Sequence, residues 1–323
     1  MKRTPWFLDR RYTAEEIVAA AYRGLLGRGA DPDGLATYAG VIRKTNEVST
    51  VLSELVTSAE FRMRSLSAGR FESFKPVCTL IDGDRLKLWV DLSDAFVSTA
   101  VLCGQYEPAE TEFILSRLSP GDTFVDIGAN LGWFTILAAD KVGPNGRVFA
   151  FEPRSQTADL LERSIADNGF GDRCMVIRAA LGDRPGSCHL LSRGGNNPGG
   201  SHLLPGGDGG LEGRTEVVDV VTLDSVMGGV GCGLVKMDVE GAEAMVLRGA
   251  AGFLQRCRPI ILSEILPSGL RAVSGVTVGE YVELVRTLGY AVRAIEGFPA
   301  SGALSTSALE RAEMTNVVLA PAN

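Results

Sequence analysis

The chain has 323 residues, 45% of them hydrophobic and 22% charged, the balance of an ordinary globular protein of about two domains. A net charge of -7 argues against a nucleic-acid partner. No apolar run approaches the roughly 18–20 residues of a membrane span, and the opening MKRTPWFLDRRY lacks the apolar stretch of a signal peptide.

Six cysteines (Cys78, Cys103, Cys174, Cys188, Cys232, Cys257) and two histidines (His189, His202) are scattered along the chain. They make no Cys-x-x-Cys pair and no zinc-ligand spacing, so no metal site is expected. Unpaired, dispersed cysteines fit a reducing compartment, and a cytoplasmic location is the expectation.

The first segment reads as helices. Thr13 and Glu16 form a capping box ahead of Val18, Tyr22 and Leu25 at helical spacing. Asp31-Pro32 opens a second helix with Leu35, Tyr38, Ala39 and Ile42 on one face. A third is expected over 48–61. This helical module is assigned to 1–70, and 71–323 to a second domain. There, Asp82-Gly83-Asp84 between two apolar runs signals a hairpin. A helix is expected over 106–118.

From Thr123 short apolar strands alternate with helices. Strands are expected over 123–127, 147–151, 175–177, 234–237, 260–263 and 290–292. Helices are expected over 133–141, 155–168 and 278–288, with Ser155 as the cap of the second. This is the pattern of a doubly wound parallel α/β sheet. The segment 192–213 is so rich in glycine that it reads as an irregular loop, either plain surface or a substrate lid.

The informative stretch is VDIGANLGWFT (125–135). A buried strand ends in Asp126, and a Gly-x-Asn-x-Gly turn through Gly128, Asn130 and Gly132 opens a helix. The glycines suit close approach of a ligand to the backbone. Glu152 ends the next strand, where a carboxylate accepts the ribose hydroxyls of a nucleoside cofactor. A nicotinamide dinucleotide prefers Gly-x-Gly-x-x-Gly, and its pyrophosphate would be repelled by Asp126. A sulfonium cation would be attracted. S-adenosylmethionine is therefore the cofactor expected, with a dinucleotide oxidoreductase as an alternative. A second motif, KMDVEGAE (236–243), ends the fourth major strand. It offers Asp238 and Glu240, while Glu243 reads as an ordinary acidic residue at a helix start. Glu264 ends the fifth strand on the same rim.

These strings, together with Tyr106-Glu107, FAFEP (149–153), AALGD (179–183) and PIILSEI (259–265), resemble the FkbM family of S-adenosylmethionine-dependent methyltransferases over about residues 79–320. The resemblance implies a class I methyltransferase, Rossmann-like fold and methylation of hydroxyl groups on sugars and polyketide-like natural products. The 13–66 segment resembles a small helical domain of glycan-associated bacterial proteins, an accessory unit for a partner or glycan. Carried over, Gly128, Asn130 and Gly132 would line the methionine and ribose side, with Asp126 beneath. Glu152 would hold the ribose, Pro153 the adenine wall, and Ala180, Leu181 and Asp183 the adenine edge. Asp238 would lie nearest the transferred methyl.

A hydroxyl acceptor benefits from a general base. Asp238, Glu240, Glu264 and His202 are the candidates. A divalent metal on Asp238 and Glu264 is a further option, not favoured. The acceptor is expected to be a small molecule or glycan, and a homodimer is left open. A non-catalytic scaffold in surface-glycan assembly is the remaining alternative.

Overall fold

The structure is a computed structural model. It describes residues 13–22, 28–45, 51, 54–55, 76–83, 85–91, 94, 97–102, 106–192, 202–204, 214–300 and 302–322. The chain divides into two units, Met1–Lys75 with Asp91–Tyr106, and Pro76–Val90 with Glu107–Asn323.

In the first unit, Ala14–Ala21 is a helix started by the Thr13–Glu16 capping box. The Thr13 hydroxyl accepts the Glu16 N–H at 3.2 Å, and Glu16 Oε2 accepts the Thr13 N–H at 2.7 Å, so two end donors are satisfied reciprocally. The second helix is Pro32–Thr45. Its Ala39 and Ile42 pack with Val18, Tyr22, Val51 and Leu55 into a small core of their own. Of the third expected helix, Val51, Glu54 and Leu55 are helical and the rest of 48–61 lies outside the described residues. Val97–Leu102 adds another helix.

The second unit begins with a hairpin of β1 (Pro76–Ile81) and β2 (Leu86–Asp91). Asp82 and Gly83 both take positive φ at its turn, which suits the twist of a tight hairpin. The main sheet contains β3 (Thr123–Ile127), β4 (Arg147–Phe151), β5 (Cys174–Ile177), β10 (Leu234–Met237), β11 (Ile260–Ile265), β12 (Tyr290–Ala294) and β13 (Thr315–Pro321). Their order across the sheet is β12-β13-β11-β10-β3-β4-β5. The five from β11 to β5 are parallel, and β13 is antiparallel to both of its neighbours. Numbering the seven strands along the chain, the sheet reads 3-2-1-4-5-7-6. The order reverses between β3 and β10, so their carboxyl ends open a crevice.

Both faces of the central strands are covered. Phe124, Val125 and Ile127 in β3, and Leu234, Val235 and Met237 in β10, are all buried, as continuous apolar runs in parallel sheets must be. Four further strands form a second sheet in the order β6-β9-β7-β8, comprising β6 (Ala180–Leu181), β7 (Gly186–Ser192), β8 (His202–Leu204) and β9 (Arg214–Val221). Within 192–213, expected to be irregular, Ser192 ends β7 and His202–Leu204 form β8. Ser192 pairs with Arg214, and His202 pairs with Leu191. Residues 193–201 and 205–213 lie outside the described residues.

Ser155 is also corrected. It is the first residue of the helix Ser155–Asp167, and the cap position is Arg154, without a side-chain bond. The Ser155 N–H and hydroxyl instead engage Glu216 of β9, a tertiary partner that local sequence could not reveal.

Candidate active site

The turn after β3 is built by backbone geometry. Gly128, Asn130 and Gly132 all have positive φ, and the Gly128 and Ala129 N–H groups both bond the Phe151 carbonyl at 3.0 Å. A Cβ at Gly128 would overlap the Asp238 carbonyl oxygen. At Gly132 it would overlap the Leu161 side chain. The room these glycines provide is filled by protein, so the turn needs them for its own packing.

Glu152 follows β4 and is buried. Its Oε2 accepts the Asn130 N–H at 3.0 Å and its Oε1 the Arg154 N–H at 2.8 Å. Burial pushes its pKa up to about 7, against the opposing pull of those two N–H donors. Pro153 follows it, half-buried. Asp126 is 1% exposed. Its Oδ2 takes the Thr135 hydroxyl at 2.6 Å, while Oδ1 is buried with no hydrogen-bond partner. Burial raises the Asp126 pKa, and Lys236 leads the effects that oppose it.

Register brings the acidic residues onto one face. Lys236 pairs with Asp126 on one side and Leu262 on the other. Because strand side chains alternate with period two, Asp238 and Glu264 fall on the face of Lys236 and Asp126. The Lys236 ammonium donates to Asp238 Oδ2 at 2.9 Å. It also lies 3.8 Å from Glu107 Oε2 and 4.7 Å from the Phe134 ring centroid. Glu107 precedes the helix Pro108–Arg117 in a left-handed conformation. From that helix, Thr111 accepts the Trp133 indole N–H at 2.9 Å and Glu110 accepts from Asn316 at 2.8 Å.

Glu264 is half-buried. Desolvation first, then the charges of Asp238 and Glu240, push its pKa up to about 9. Glu240 has positive φ and leads into Gly241, where a Cβ would overlap Gly269. Glu243 is fully buried. Its Oε1 accepts the Gly241 N–H at 3.1 Å and the Val239 N–H at 3.4 Å, and burial raises its pKa to about 7. Glu243 therefore staples the loop after β10 and is more than an acidic helix start.

Three strands' ends thus bring together Asp126, Gly128, Asn130, Glu152 and Asp238, with Glu264 beside Asp238. Ala180 and Leu181 are different. Their side chains are buried in apolar clusters, and Asp183 lies exposed on the turn that packs against Gly249. His202 opens β8. Two residues at the rim, Glu107 and Lys236, were not among the sequence candidates for the site, although the Tyr106-Glu107 pair and the KMDVEGAE string both drew notice. The left-handed backbone of Glu107 is invisible in sequence.

The profile of the Methyltransferase FkbM domain matches residues 126–310. The chain belongs to the FkbM methyltransferase family. An FkbM methyltransferase structure from Methylobacillus flagellatus is 16% identical, with a TM-score of 0.41, over 93% of this chain and 58% of that one. A SAM-dependent O-methyltransferase from Thermotoga maritima is 15% identical, with a TM-score of 0.35, over 67% of this chain and 66% of that one. A protein of Pyrobaculum calidifontis named "Probable cobalt-precorrin-6B C(15)-methyltransferase (decarboxylating)" is 28% identical over 138 residues, 41% of this chain and 70% of the relative.

S-adenosylmethionine is the cofactor of this FkbM-family methyltransferase, and the residues fit it. The buried, unpartnered Asp126 Oδ1 and the Glu152 carboxylate are acceptors under and beside the turn. A carboxylate-rich floor suits a sulfonium cation and ribose hydroxyls, and would repel a pyrophosphate. Among the described residues no His, Cys, Asp and Glu are grouped as a metal site, and no helix is long and apolar enough to cross a membrane.

Proposed function

We propose that this FkbM-family methyltransferase methylates a hydroxyl of a sugar, glycan or related natural product. The observation that carries the reading is Asp238, partly exposed at the carboxyl edge of β10, its Oδ2 held by the Lys236 ammonium at 2.9 Å. A carboxylate tethered there by an ammonium, beside the cofactor turn, takes a proton from a fixed direction.

The cofactor supplies an activated methyl group on a sulfonium. Glu152 accepts the ribose hydroxyls, and Asp126 sits beneath the turn formed by Gly128, Asn130 and Gly132. Pro153 shapes the adenine wall. Ala180 and Leu181, buried themselves, back the adenine edge, and Asp183 flanks it. Asp238 takes the acceptor proton. Glu264, with a pKa near 9, keeps its proton at neutral pH and serves as a hydrogen-bond donor to an acceptor oxygen rather than as the base. Glu240 orients the acceptor from the adjoining turn. Residues 1–70 act as the accessory domain and 71–323 as the catalytic one.

The test is transfer of labelled methyl to a panel of nucleotide-sugars, glycolipids and free polyols. Label on a hydroxyl oxygen of one of them supports the reading. Label confined to a carbon of a tetrapyrrole, the acceptor type that the Pyrobaculum relative's name implies, would replace it with C-methylation. Label on protein or nucleic acid alone would sink it.

A further inference from the structure

Lys236 joins parts of the site that come from distant points in the chain. Its side chain is 6% exposed, whereas those of Asp238 and Glu107, which flank its ammonium, are 23% and 24% exposed. The cation is thus sealed in and its two carboxylates face outward. Its strand neighbour in register is Asp126, directly under the cofactor turn. Phe134 offers its ring to the same ammonium at 4.7 Å, a favourable cation–π distance. Glu107 reaches it from a left-handed backbone, φ 42 and ψ 62, a conformation that a residue with a side chain rarely adopts. Such strain persists where the surroundings hold it, often at functional sites.

We propose that Lys236 is a positioning residue that holds Asp238 and Glu107 together on the rim above Asp126, and that it thereby limits the negative charge the site presents to the cationic sulfonium. This deepens the cofactor assignment and is independent of the acceptor's identity. The substrate cofactor carries a positive sulfur, and the product S-adenosylhomocysteine a neutral one. A rim of uncompensated carboxylates would hold the cation too well. One buried ammonium moderates that preference, and Glu107, on the outer side, adds to it.

The test is calorimetric binding of S-adenosylmethionine, S-adenosylhomocysteine and sinefungin, whose amine replaces the sulfonium, at about pH 8, above the pKa of about 7 at Glu152. Lys236→Met should raise the affinity ratio of the two cations over S-adenosylhomocysteine by about fivefold to tenfold, the size of one unit charge acting at site range. Lys236→Arg keeps the charge and should stay within about twofold of wild type, a rescue that loss of packing alone would not give. Glu107→Gln should lower the ratio by about threefold. If Lys236→Met does not fold, Glu107→Gln decides alone. A ratio within about twofold of wild type in every folded variant overturns the proposal. Wild-type protein that bound none of the three ligands would overturn the cofactor assignment and this proposal with it.

Discussion

The backbone of Gly128 rests on the carbonyl oxygen of Asp238, with no room between them for a side chain. The turn after β3 and the loop after β10 are therefore one assembly. The Asp238 N–H bonding the Ile127 carbonyl at 2.9 Å closes the same joint. Anything that lifts one loop moves the other, which couples the cofactor turn to the residue proposed as base.

Gly128→Ala should accordingly damage both. Its positive φ disfavours a side chain, and the new methyl would meet backbone that has nowhere to go. The expected loss is roughly 3 kcal/mol of stability, read as a lower urea midpoint. Calorimetry on the folded fraction should show cofactor affinity reduced at least about tenfold. A variant with wild-type stability and affinity would mean that this joint is not required.

Glu152, proposed above to hold the ribose, should make cofactor binding depend on pH. Its pKa is raised to about 7 in the free protein, and hydroxyl donors from a ribose favour the ionised form. Affinity for S-adenosylhomocysteine should rise as pH climbs from about 5.5 and level off above 7. Glu152→Gln should flatten that rise and weaken binding about tenfold at pH 8. Titrations in two buffers of different ionisation enthalpy would show proton release by the wild type below pH 7.

The two rim carboxylates should separate in kinetics. Asp238→Asn removes the proposed base and should cut kcat about a hundredfold, with cofactor affinity changed far less. Glu264→Gln keeps a neutral donor in place and should retain most of the turnover at pH 7. Wild-type activity should fall above the Glu264 pKa of about 9. The Gln variant should lose that decline. Equal losses in both variants at neutral pH would contradict the division of roles.

Glu243 predicts a stability effect with a defined sign. Its folded pKa, about 7, lies above the 4.5 of an ordinary glutamate. The folded state then holds a proton that the unfolded state releases between those values, so this group's contribution falls as pH rises through that window. Glu243→Gln should gain stability relative to wild type on going from pH 4 to pH 8, measured by urea midpoints. Glu243→Ala, which strips the acceptor from the Gly241 and Val239 N–H groups, should lose about 2 kcal/mol or more at any pH.

The parallel part of the fold was legible because its strands are short, largely apolar and separated by helical periods. The expected 123–127, 147–151 and 234–237 coincide with β3, β4 and β10. Family, cofactor class and sheet type followed from the motifs in those strand ends. The missed elements depend on partners far away in sequence. Thr315–Pro321 is a strand because β11 and β12 stand on either side of it. The sheet of β6 to β9 was obscured by the glycine-rich stretch between β7 and β9. Glu243 looked like a helix-start preference because burial, which changes its role, is a tertiary fact.

The placement of β13 sets an order of assembly. β12 touches the rest of the main sheet only through β13, which comes later in the chain. While β12 emerges from the ribosome its sheet neighbour is not yet made, and the side of β11 that β13 will cover is open. Both wait for β13 to slot between them, so a messenger cut short just before residue 315 would yield a protein with two orphan edges and a tendency to self-associate.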